Sequence, residues 1–267
     1  MLVVKVGGGE GINLDLLCDD FANLWKSGQK VVLVHGGSHE ANVISEKLGI
    51  PPRFVTSISG IESRFTDRPT LEVIAMVYAG KANTMIVEKL QMRGVNAVGL
   101  SGIDGRLMEG IRKSSIKIKE NGKQKVLHGD YTGKVEKVNV NLIQLLMDNN
   151  YALVIAPLSI SYEGEAINVD GDRASALLAS NLHVDQLIIL SNVPGLLKDV
   201  NDPESLITHI NKREIEKFME YAKRRMKKKV MGAMEAFQGG VKQVIFGDAR
   251  LEHPITQAMN GKGTVIQ

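Results

Sequence analysis

A lysine followed by three glycines is the first group of residues in this sequence that suits chemistry on an anion. Lys5 stands two residues before Gly7, Gly8 and Gly9, near the end of a short β-branched run. The glycines lack Cβ atoms, so successive backbone N–H groups can approach phosphate oxygens closely. At ~4 Å and an effective dielectric constant of ~20, a lysine–anion pair is worth about 4 kcal/mol before desolvation. The stretch predicts an anion site, with a strand-edge lysine before a flexible turn as the alternative.

Two more strand-to-turn junctions follow along the chain. The apolar run Val31–Val34 ends in His-Gly-Gly-Ser at 35–38, and the run at 186–190 ends in Ser-Asn-Val-Pro-Gly-Leu at 191–196. Strand, helix, strand, glycine turn and helix in this order are typical of a βαβ unit in a parallel sheet. Because ligands bind at the carboxyl ends of such strands, we expect the first two glycine turns to lie side by side at a binding edge.

A cluster of cations lies near the carboxyl end of the chain. Six of the seven residues from Lys223 to Lys229 are lysine or arginine. A helix makes one turn in about 3.6 residues, so these side chains point in all directions and cannot all serve one ligand. Lys229 precedes the apolar Val230 and is therefore the member nearest the core. A solvated helix face, a nucleic-acid patch and a phosphate clamp are the interpretations left open.

Two acids flank a glycine where a long Ala- and Leu-rich helix is predicted to begin. They are Asp170 and Asp172, and Asn168 precedes them. Asp172 is a candidate helix cap. The alternative is that the pair positions lysines or a magnesium ion.

Several functional classes find little support. A net charge of +3 is too small to argue for nucleic acid, and no apolar run approaches the ~20 residues that span a bilayer. The lone Cys18 cannot form an internal disulfide, which suits a cytoplasmic protein, and its helical apolar context predicts a core position. His35 and His39 are separated by a glycine turn rather than a helical turn, so we predict no protein-bound metal.

The remaining pattern predicts the elements that position these residues. Apolar residues at helical spacing predict helices at 14–26, about 70–92, 139–147, after 172, and from about 212 to 237. Asn121-Gly122 between alternating runs predicts a surface β-hairpin over 116–126. The hairpin carries four lysines, Lys117, Lys119, Lys123 and Lys125. A boundary between two lobes is predicted near 163–168.

Glycine turns, two separated lysines and one arginine in an irregular polar segment suit phosphoryl transfer. That chemistry needs alignment and cations more than covalent catalysis by the protein. Lys5 and Lys229 would stabilise charge at the two ends of the transferring group, and Arg64 would pair with a carboxylate or carbonyl acceptor.

Six motifs in chain order resemble the amino-acid kinase family and, within it, the acetylglutamate-kinase branch. They are K-V-G-G at 5–8, V-H-G-G at 34–37, S-R-F-T-D at 63–67, N-V-D-G-D at 168–172, S-N-V-P-G-L at 191–196 and M-K-K-K-V at 226–230. Ser38-His39 replaces the usual Gly-Pro, and S-G-I-E-S-R-F-T-D at 59–67 replaces a shorter arginine motif. With L-S-G-I-D-G-R-L at 100–107 and H-G-D-Y-T-G at 128–133, these variations resemble the aminoadipate/glutamate kinases that act on substrates linked to the carrier protein LysW.

The resemblance implies a three-layer αβα sandwich with a mostly parallel central sheet. Its two lobes would be residues 1–165, for the carrier-linked amino acid, and residues 166–267, for ATP. The implied reaction is ATP-dependent phosphorylation of a side-chain carboxylate in lysine or arginine biosynthesis, with Mg²⁺ bound through the nucleotide. The implied roles are catalysis by Lys5, Lys229 and Asp172, substrate binding by Gly36, Gly37, Arg64 and Asn168, and nucleotide binding by Gly7, Gly8, Ser191, Asn192, Gly195 and Leu196.

The implied partners are a small acidic carrier protein and a second copy of the chain, joined through the helix near Thr70–Met92. We hypothesise that the basic hairpin, with Arg112 and Lys113, docks the carrier. Three alternatives remain: an acetylglutamate kinase with a free substrate, a nucleic-acid-binding protein using Lys223–Lys229, and a nucleotide sensor without catalysis.

Overall fold

The computed structural model describes residues 1–58, 60–120 and 122–267. Its strands are β1 Leu2–Val6, β2 Val31–His35, β3 Phe54–Thr56, β4 Glu62–Arg64, β5 Ala97–Ser101, β6 Met108–Arg112, β7 Ser115–Glu120, β8 Lys123–His128, β9 Thr132–Val138, β10 Ala152–Ala156, β11 Leu158–Ser161, β12 Ala166–Val169, β13 Gln186–Ser191, β14 His209–Ile210, β15 Gln243–Asp248 and β16 Thr264–Ile266. Its α-helices are α1 Leu14–Lys26, α2 Ser38–Lys47, α3 Arg68–Ala75, α4 Asn83–Met92, α5 Val140–Asp148, α6 Gly171–Asn181, α7 Arg225–Gln238 and α8 Pro254–Met259. A π-helical segment, Met76–Ala82, joins α3 to α4, and 3₁₀ segments lie at Asp104–Arg106, Pro203–Ser205 and Lys212–Glu220.

The central sheet has the strand order β14-β16-β15-β13-β1-β2-β10-β5. Neighbouring strands run parallel except β15 and β16. The middle strand β1 places Lys5 opposite Val34 of β2 and Ile189 of β13. The carboxyl ends of these three strands therefore open onto one edge of the sheet.

Helices cover both faces of this sheet. Successive β1 side chains accordingly pack into two different cores. Val3 belongs to the core beneath α5, α6 and α7, whereas Val4 belongs to the core beneath α1, α4 and α8. Strands buried on both faces are expected to be apolar throughout, as β1, β2 and β10 nearly are. The predicted three-layer αβα sandwich with a mostly parallel sheet is confirmed.

Smaller sheets stand beside the edge at which the site opens. β6, β9, β11 and β12 close into a small barrel, and β3 pairs with β4. The predicted hairpin is confirmed as antiparallel β7 and β8, although Asn121 of its predicted turn lies outside the described residues. Val55, Ile118 and Leu127 pack this hairpin against β3.

The predicted boundary between 1–165 and 166–267 coincides with a seam in the central sheet. Strands from the first segment form one side, β1-β2-β10-β5, and strands from the second form the other, β14-β16-β15-β13. Hydrogen bonding is continuous across the seam between β1 and β13. The functional division into two lobes stays a prediction.

Two local predictions were wrong. The helix expected over 212–237 is interrupted, because Arg224 has a positive φ of 45° that a continuous right-handed helix cannot contain. Asp172 does not cap α6: Asp170 accepts the first N–H groups, and Asp172 lies inside the first helical turn.

The helix expected at about 70–92 spans Arg68–Met92 but contains the π-helical segment. Asp67 caps it by accepting from the Thr70 N–H. Within the described residues, none of the helices has the length and apolar character needed to cross a membrane.

Candidate active site

A cleft of about 970 Å³ opens at the carboxyl ends of β1, β2 and β13. Every site residue that the sequence singles out lines it. These are Lys5, Gly7, Gly8, Gly36, Gly37, Arg64, Asn168, Asp172, Ser191, Asn192, Gly195, Leu196 and Lys229. Residues far apart in the chain therefore meet at one place, as the parallel topology predicts.

Asp172 lies between the two predicted catalytic lysines. Its Oδ1 lies 2.6 Å from the Lys5 Nζ, and both of its carboxylate oxygens lie 3.3 Å from the Lys229 Nζ. All three side chains are more than nine-tenths buried. Two cations thus share one anion, which leaves the cluster with a net charge of +1 when all three are ionised.

Burial and charge act in opposite directions on these groups. Burial tends to lower the pKa of Lys5, but attraction to Asp172 and the hydrogen bond between them raise it above its ordinary value. Burial, together with repulsion from Lys5, lowers the pKa of Lys229 to about 8 despite the attraction of Asp172. Burial tends to raise the pKa of Asp172, yet the two lysines hold it well below its usual range.

Glycines allow the elements of this cluster to approach one another. A Cβ atom at Gly232 of α7 would lie 3.1 Å from the Asp172 carbonyl oxygen, so a larger residue would push α7 away from α6. Lys229 stands nearly one helical turn before Gly232, and this close approach brings its ammonium to Asp172. A Cβ at Gly171 would lie 3.4 Å from the Lys5 Cε.

The glycine turns after β1 and β2 are in direct contact. A Cβ at Gly8 would lie 2.1 Å from the Gly37 nitrogen, which excludes any side chain there. The N–H groups of Gly7 and Gly36 donate to the carbonyls of Leu190 and Val6 and are therefore engaged in the protein. The N–H groups of Gly8 and Gly37 have no partner within the described part of the chain, which leaves them as donors for a ligand.

Arg64, at the end of β4, is held by α2. Its Nη2 donates to the Ser38 carbonyl at 3.2 Å and to the Asn42 side chain. Its Nη1 is buried and has no hydrogen-bond partner among the described residues. Burial lowers the pKa of Arg64, and no carboxylate in the described residues forms a salt bridge with it. The guanidinium is therefore available to an anion in the cleft.

Asn168 of β12 reaches the same wall of the cleft through a network that the sequence did not reveal. Its Nδ2 donates to the Thr66 hydroxyl at 3.1 Å, and that hydroxyl in turn donates to the Arg64 carbonyl at 3.3 Å. The buried Asp130 accepts from the Thr66 N–H at 3.1 Å and from the Thr132 hydroxyl. Asp130 thus anchors the segment that carries Arg64, and Asn168 of β12 is hydrogen-bonded to that segment through Thr66.

The third turn forms the opposite wall. The Leu196 N–H donates to the Thr264 hydroxyl at 2.9 Å, and a Cβ at Gly195 would lie 2.5 Å from that same oxygen. The Asn192 Nδ2 donates to the Glu10 carbonyl, which ties this turn to the first glycine turn. The Ser191 hydroxyl is buried without a partner among the described residues.

Five of the six cations in the basic run line the cleft. Lys223 and Arg224 precede α7, and the members that line the cleft are Lys223, Arg224, Arg225, Lys228 and Lys229. Lys228 lies 3.5 Å from the Asp170 carboxylate, and the exposed Arg225 donates to the Ser38 hydroxyl. Lys227 does not line the cleft. The other five do, which is more than a continuous helix would direct to one side, because Lys223 and Arg224 lie before α7.

Tyr78, which the sequence did not single out, also lines the cleft, and burial raises its pKa. Its ring lies against Gly37, where a Cβ would be 2.9 Å from the ring. Tyr78 belongs to the π-helical segment Met76–Ala82. No residue pattern in the sequence predicts that segment, so the sequence does not place Tyr78 in the cleft. Cys18 lies in the core as predicted, and burial raises the pKa of its thiol to about 11.

Comparison with known proteins agrees with this geometry. The profile of the amino acid kinase family matches residues 1–248. The chain is 58% identical to a [LysW]-aminoadipate kinase of Deinococcus radiodurans, covering 100% of this chain and 91% of that protein. It is 54% identical to a [LysW]-aminoadipate kinase of Thermus thermophilus, with 100% of both chains covered. A [LysW]-aminoadipate/[LysW]-glutamate kinase of Sulfolobus acidocaldarius is 36% identical, again over 100% of both.

Among solved structures, N-acetylglutamate synthase from Neisseria gonorrhoeae superposes with a TM-score of 0.79 at 23% identity. The match covers 99% of this chain and 58% of that one, so it supports the fold alone. The family profile and the full-length relatives lead to one conclusion: the chain belongs to the amino acid kinase family and is a phosphotransferase that acts on a carboxyl group.

Proposed function

We propose that this protein uses ATP to phosphorylate the side-chain carboxylate of 2-aminoadipate, of glutamate or of both, while the α-amino group of the substrate is bound to a LysW-like carrier protein. The observation that carries the proposal is the buried Lys5–Asp172–Lys229 cluster. It lines the same cleft as Gly8 and Gly37, whose N–H groups have no hydrogen-bond partner among the described residues. The names of the full-length relatives support the carrier-linked substrate.

The proposed reaction needs no catalytic base. A substrate carboxylate is already ionised at neutral pH, so its oxygen can form a bond to the γ-phosphorus directly. The bond from that phosphorus to the β,γ-bridging oxygen breaks, and ADP leaves with the electron pair. Charge on the transferring group is the main barrier, and Lys5 and Lys229 are positioned to neutralise it. Asp172 is bound to both ammonium groups and is suited to holding them, not to accepting a proton.

ATP fits the cleft on two grounds. Gly8 must lack a side chain, because a Cβ there would collide with the backbone of Gly37, and the turn at 7–9 is therefore open to phosphate groups. The turn at 191–196 holds a buried Ser191 hydroxyl that lacks a partner in the described residues. We assign phosphate binding to the first turn and the remainder of the nucleotide to the second.

Magnesium, in this proposal, enters with the nucleotide phosphates. The two carboxylates in the cleft nearest the lysines, Asp170 and Asp172, are each engaged by lysine ammonium groups. They therefore suit lysine positioning better than direct metal binding. When bound, the ion would neutralise phosphate charge.

The substrate would lie on the Arg64 side of the cleft. The partnerless Arg64 Nη1 and the carboxamide of Asn168 are the polar groups that we assign to the substrate's carboxyl and carbonyl oxygens. Aminoadipate and glutamate differ by one methylene group, which a pocket distinguishes by only about 1–3 kcal/mol. The names of relatives at 36–58% identity include both substrates.

Carrier docking is assigned to the outer face of the hairpin. The β7–β8 register places Lys117 and Lys119 on one face, and it places Lys123 and Lys125 on the other. Lys125 pairs with Glu120 at 3.3 Å, so part of the inner charge is neutralised. Arg112 is engaged by Glu165, which weakens its proposed part in docking.

A homodimer through Arg68–Met92 is the oligomer we propose. Met76 and Met92 on this helix are 55% and 78% exposed, which is unusual for large apolar side chains. Light scattering after size-exclusion chromatography would give the mass of the wild type and of a Met76→Glu/Met92→Glu variant. A dimer dissociated by these substitutions is the expected result.

The test of the function is acyl-phosphate formation trapped with hydroxylamine. Three substrates are compared: N-acetylglutamate, carrier-linked glutamate and carrier-linked aminoadipate. Turnover of the carrier-linked substrates alone is expected, and the ratio between them assigns the pathway. Strong turnover of N-acetylglutamate would instead identify an acetylglutamate kinase, and DNA or RNA binding without turnover would favour the basic-patch alternative.

A further inference from the structure

The π-helical segment Met76–Ala82 and the residue that follows it contact one turn of the active site. The ring of Tyr78 lies against Gly37, and Asn83, the first residue of α4, lies against His35. We propose that Asn83 is a positioning residue, which acts through His35 to aim the Gly37 N–H at the ligand. This inference rests on the proposed function, because it assigns a role within the same site.

The orientation of the Asn83 amide follows from its neighbours. Asn83 is buried, and its Nδ2 lies 3.0 Å from the Val154 carbonyl oxygen and 3.1 Å from the His35 Nε2. A carbonyl oxygen only accepts hydrogen bonds, so the amide nitrogen, and not its oxygen, must face Val154. The second hydrogen of the same NH₂ group is presented to the His35 Nε2, which lies closer to it than the Leu100 carbonyl oxygen, at 3.5 Å.

This orientation fixes the protonation of the imidazole. Because the His35 Nε2 accepts from Asn83, it carries no hydrogen, and the proton of the neutral ring must be on Nδ1. The His35 Nδ1 lies 2.8 Å from the Gly36 carbonyl oxygen, which requires a donor at that position. Asn83 and the Gly36 carbonyl are therefore both satisfied by the Nδ1–H tautomer. Burial favours the neutral ring by lowering the pKa of His35 to about 4.

The tautomer in turn orients a peptide group of the active site. The Gly36 carbonyl and the Gly37 N–H belong to one planar trans peptide, so they point in opposite directions. A Gly36 oxygen held toward His35 directs the Gly37 N–H away from the imidazole. The Gly37 nitrogen itself lies close to Gly8. That N–H is one of the two donors left without a partner among the described residues.

A glycine in the neighbouring strand makes room for Asn83. A Cβ at Gly99 of β5 would lie 1.9 Å from the Asn83 Oδ1. Glycine weakens a strand interior, so its presence here is explained by the close approach of the carboxamide. Gly99→Ala therefore displaces Asn83 without altering it, although the new methyl group also meets the Val87 side chain at 2.9 Å. Gly80→Ala is the matched control because a Cβ at Gly80 meets nothing within 4 Å.

The first experiment measures the tautomer directly in the intact wild-type protein. Long-range ¹H–¹⁵N correlation spectra of histidine-labelled protein distinguish a ring protonated at Nδ1 from one protonated at Nε2. A His35→Gln spectrum assigns the signal. A neutral Nδ1–H ring is expected at neutral pH, and an Nε2–H ring or an imidazolium would overturn the proposal without any Asn83 variant.

The second experiment compares Asn83→Ala, Asn83→Ser and Gly99→Ala with Gly80→Ala. For the first three, the Nδ1–H tautomer loses its dominance, and kcat/KM for the carboxylate substrate falls about tenfold to a hundredfold, as misplacement of a reacting group does. The dissociation constant of a non-hydrolysable ATP analogue stays within about twofold of wild type, because the Gly8 N–H and the lysines are unchanged. Gly80→Ala keeps the tautomer and the rate.

The spectra separate this inference from the proposed function. A shifted tautomer in the Asn83 variants, in a protein that phosphorylates none of the carboxylate substrates, would support the positioning contact and refute the function. A wild-type tautomer and full kcat/KM in Asn83→Ser and Gly99→Ala would refute the positioning role, while turnover by the wild type would leave the function supported.

Discussion

Asp172 holds Lys5 and Lys229 at unequal distances, 2.6 Å and 3.3 Å, although the two lysines lie on different layers of the fold. Lys5 belongs to the central strand, and Lys229 belongs to α7, which covers one face of the sheet. The carboxylate therefore joins the sheet to the helix layer at the place where we expect phosphate to bind. Removing it would affect the architecture and the chemistry together.

Asp172→Asn tests this relationship. The substitution keeps the shape of the side chain but leaves two buried ammonium groups without their anion. Breaking a buried ion pair in this way costs about 3–5 kcal/mol of unfolding free energy, and we expect kcat to fall by about a hundredfold or more. Urea denaturation and steady-state rates measure the two effects.

The control for this substitution is Asp185→Asn, which removes an exposed carboxylate paired with Lys242. Exposed pairs contribute about 0–1 kcal/mol, so this variant should match wild type in both measurements. Wild-type activity in Asp172→Asn would contradict the assignment of Asp172 as the group that orients the lysines.

The pKa of Lys229 predicts an alkaline limit to activity. With a pKa of about 8 in the free enzyme, Lys229 is positively charged below that pH and loses its charge above it. Because kcat/KM reports the free enzyme, it should fall as pH rises through about 8. Lys229→Arg should keep a reduced rate but lose this limb, since arginine stays charged.

Unfolding at high pH does not explain the expected fall in kcat/KM. The folded pKa of Lys229 lies below its ordinary value of 10.5, so between these values the unfolded chain binds more protons than the folded one. The contribution of Lys229 to stability therefore rises with pH in this window. Circular dichroism at each pH should show a folded protein where activity is already lost. A kcat/KM that is independent of pH from 7 to 10 would contradict the assignment of Lys229 as a catalytic cation.

The glycine turns predict a sharp difference between two Gly→Ala substitutions. Gly8→Ala would place a methyl group 2.1 Å from the Gly37 nitrogen, so the two turns must separate. We expect a loss of about 1–3 kcal/mol in unfolding free energy and almost complete loss of activity. Gly80→Ala meets open space within a helix, and it should be neutral or stabilise by about 0.5–1 kcal/mol. Thermal denaturation and rates of both variants check this, and equal behaviour would count against the close contact.

The sequence predicted those parts of the fold that local patterns specify. Runs of β-branched residues gave β1 and β2, and the glycines after them gave the turns, because both signals are carried by consecutive residues. The Asn-Gly dipeptide and alternating charges gave the hairpin for the same reason. The residues of the candidate site were found mainly through motifs of the family that the chain resembles.

What the sequence did not predict depends on contacts between distant elements. In the sequence, Gly232 has no feature that distinguishes it from other residues of α7. Its close approach to Asp172 explains why a glycine stands there. No glycine or proline marks the break at Arg224, so the sequence pattern predicts one continuous helix through the basic run. The π-helical segment likewise gives no signal, and therefore Tyr78 and Asn83 were missed.

Arg64 predicts a specific loss of substrate binding. Its guanidinium donates to Ser38 and Asn42 and keeps a buried Nη1 for a ligand, a geometry that a lysine cannot reproduce. A hydrogen bond to a charged group is worth about 1.5–3 kcal/mol, so Arg64→Lys should raise KM for the carboxylate substrate by about tenfold or more. KM for ATP should hardly change. The exposed Arg53→Lys serves as the matched control, and an equal rise in both Michaelis constants would argue against a substrate role.

The basic hairpin predicts a docking effect that depends on which face is altered. Lys117→Glu with Lys119→Glu reverses the outer face, whereas Lys123→Glu with Lys125→Glu changes the inner face, where Glu120 already neutralises Lys125. Steering of an acidic carrier should weaken about tenfold for the outer pair, and its KM should become less sensitive to salt, because fewer charges attract the partner. The inner pair should have a smaller effect.

Both hairpin variants should retain the wild-type KM for ATP, since these lysines stand outside the glycine turns. Measuring KM for carrier-linked aminoadipate at low and high salt separates electrostatic steering from damage to the fold, because only steering is screened. If all four reversals together leave that KM unchanged, the carrier docks elsewhere. The exposed lysines would then be an ordinary solvated surface, and the other cations at the rim of the cleft, Lys113 and Arg225 among them, would be the next candidates.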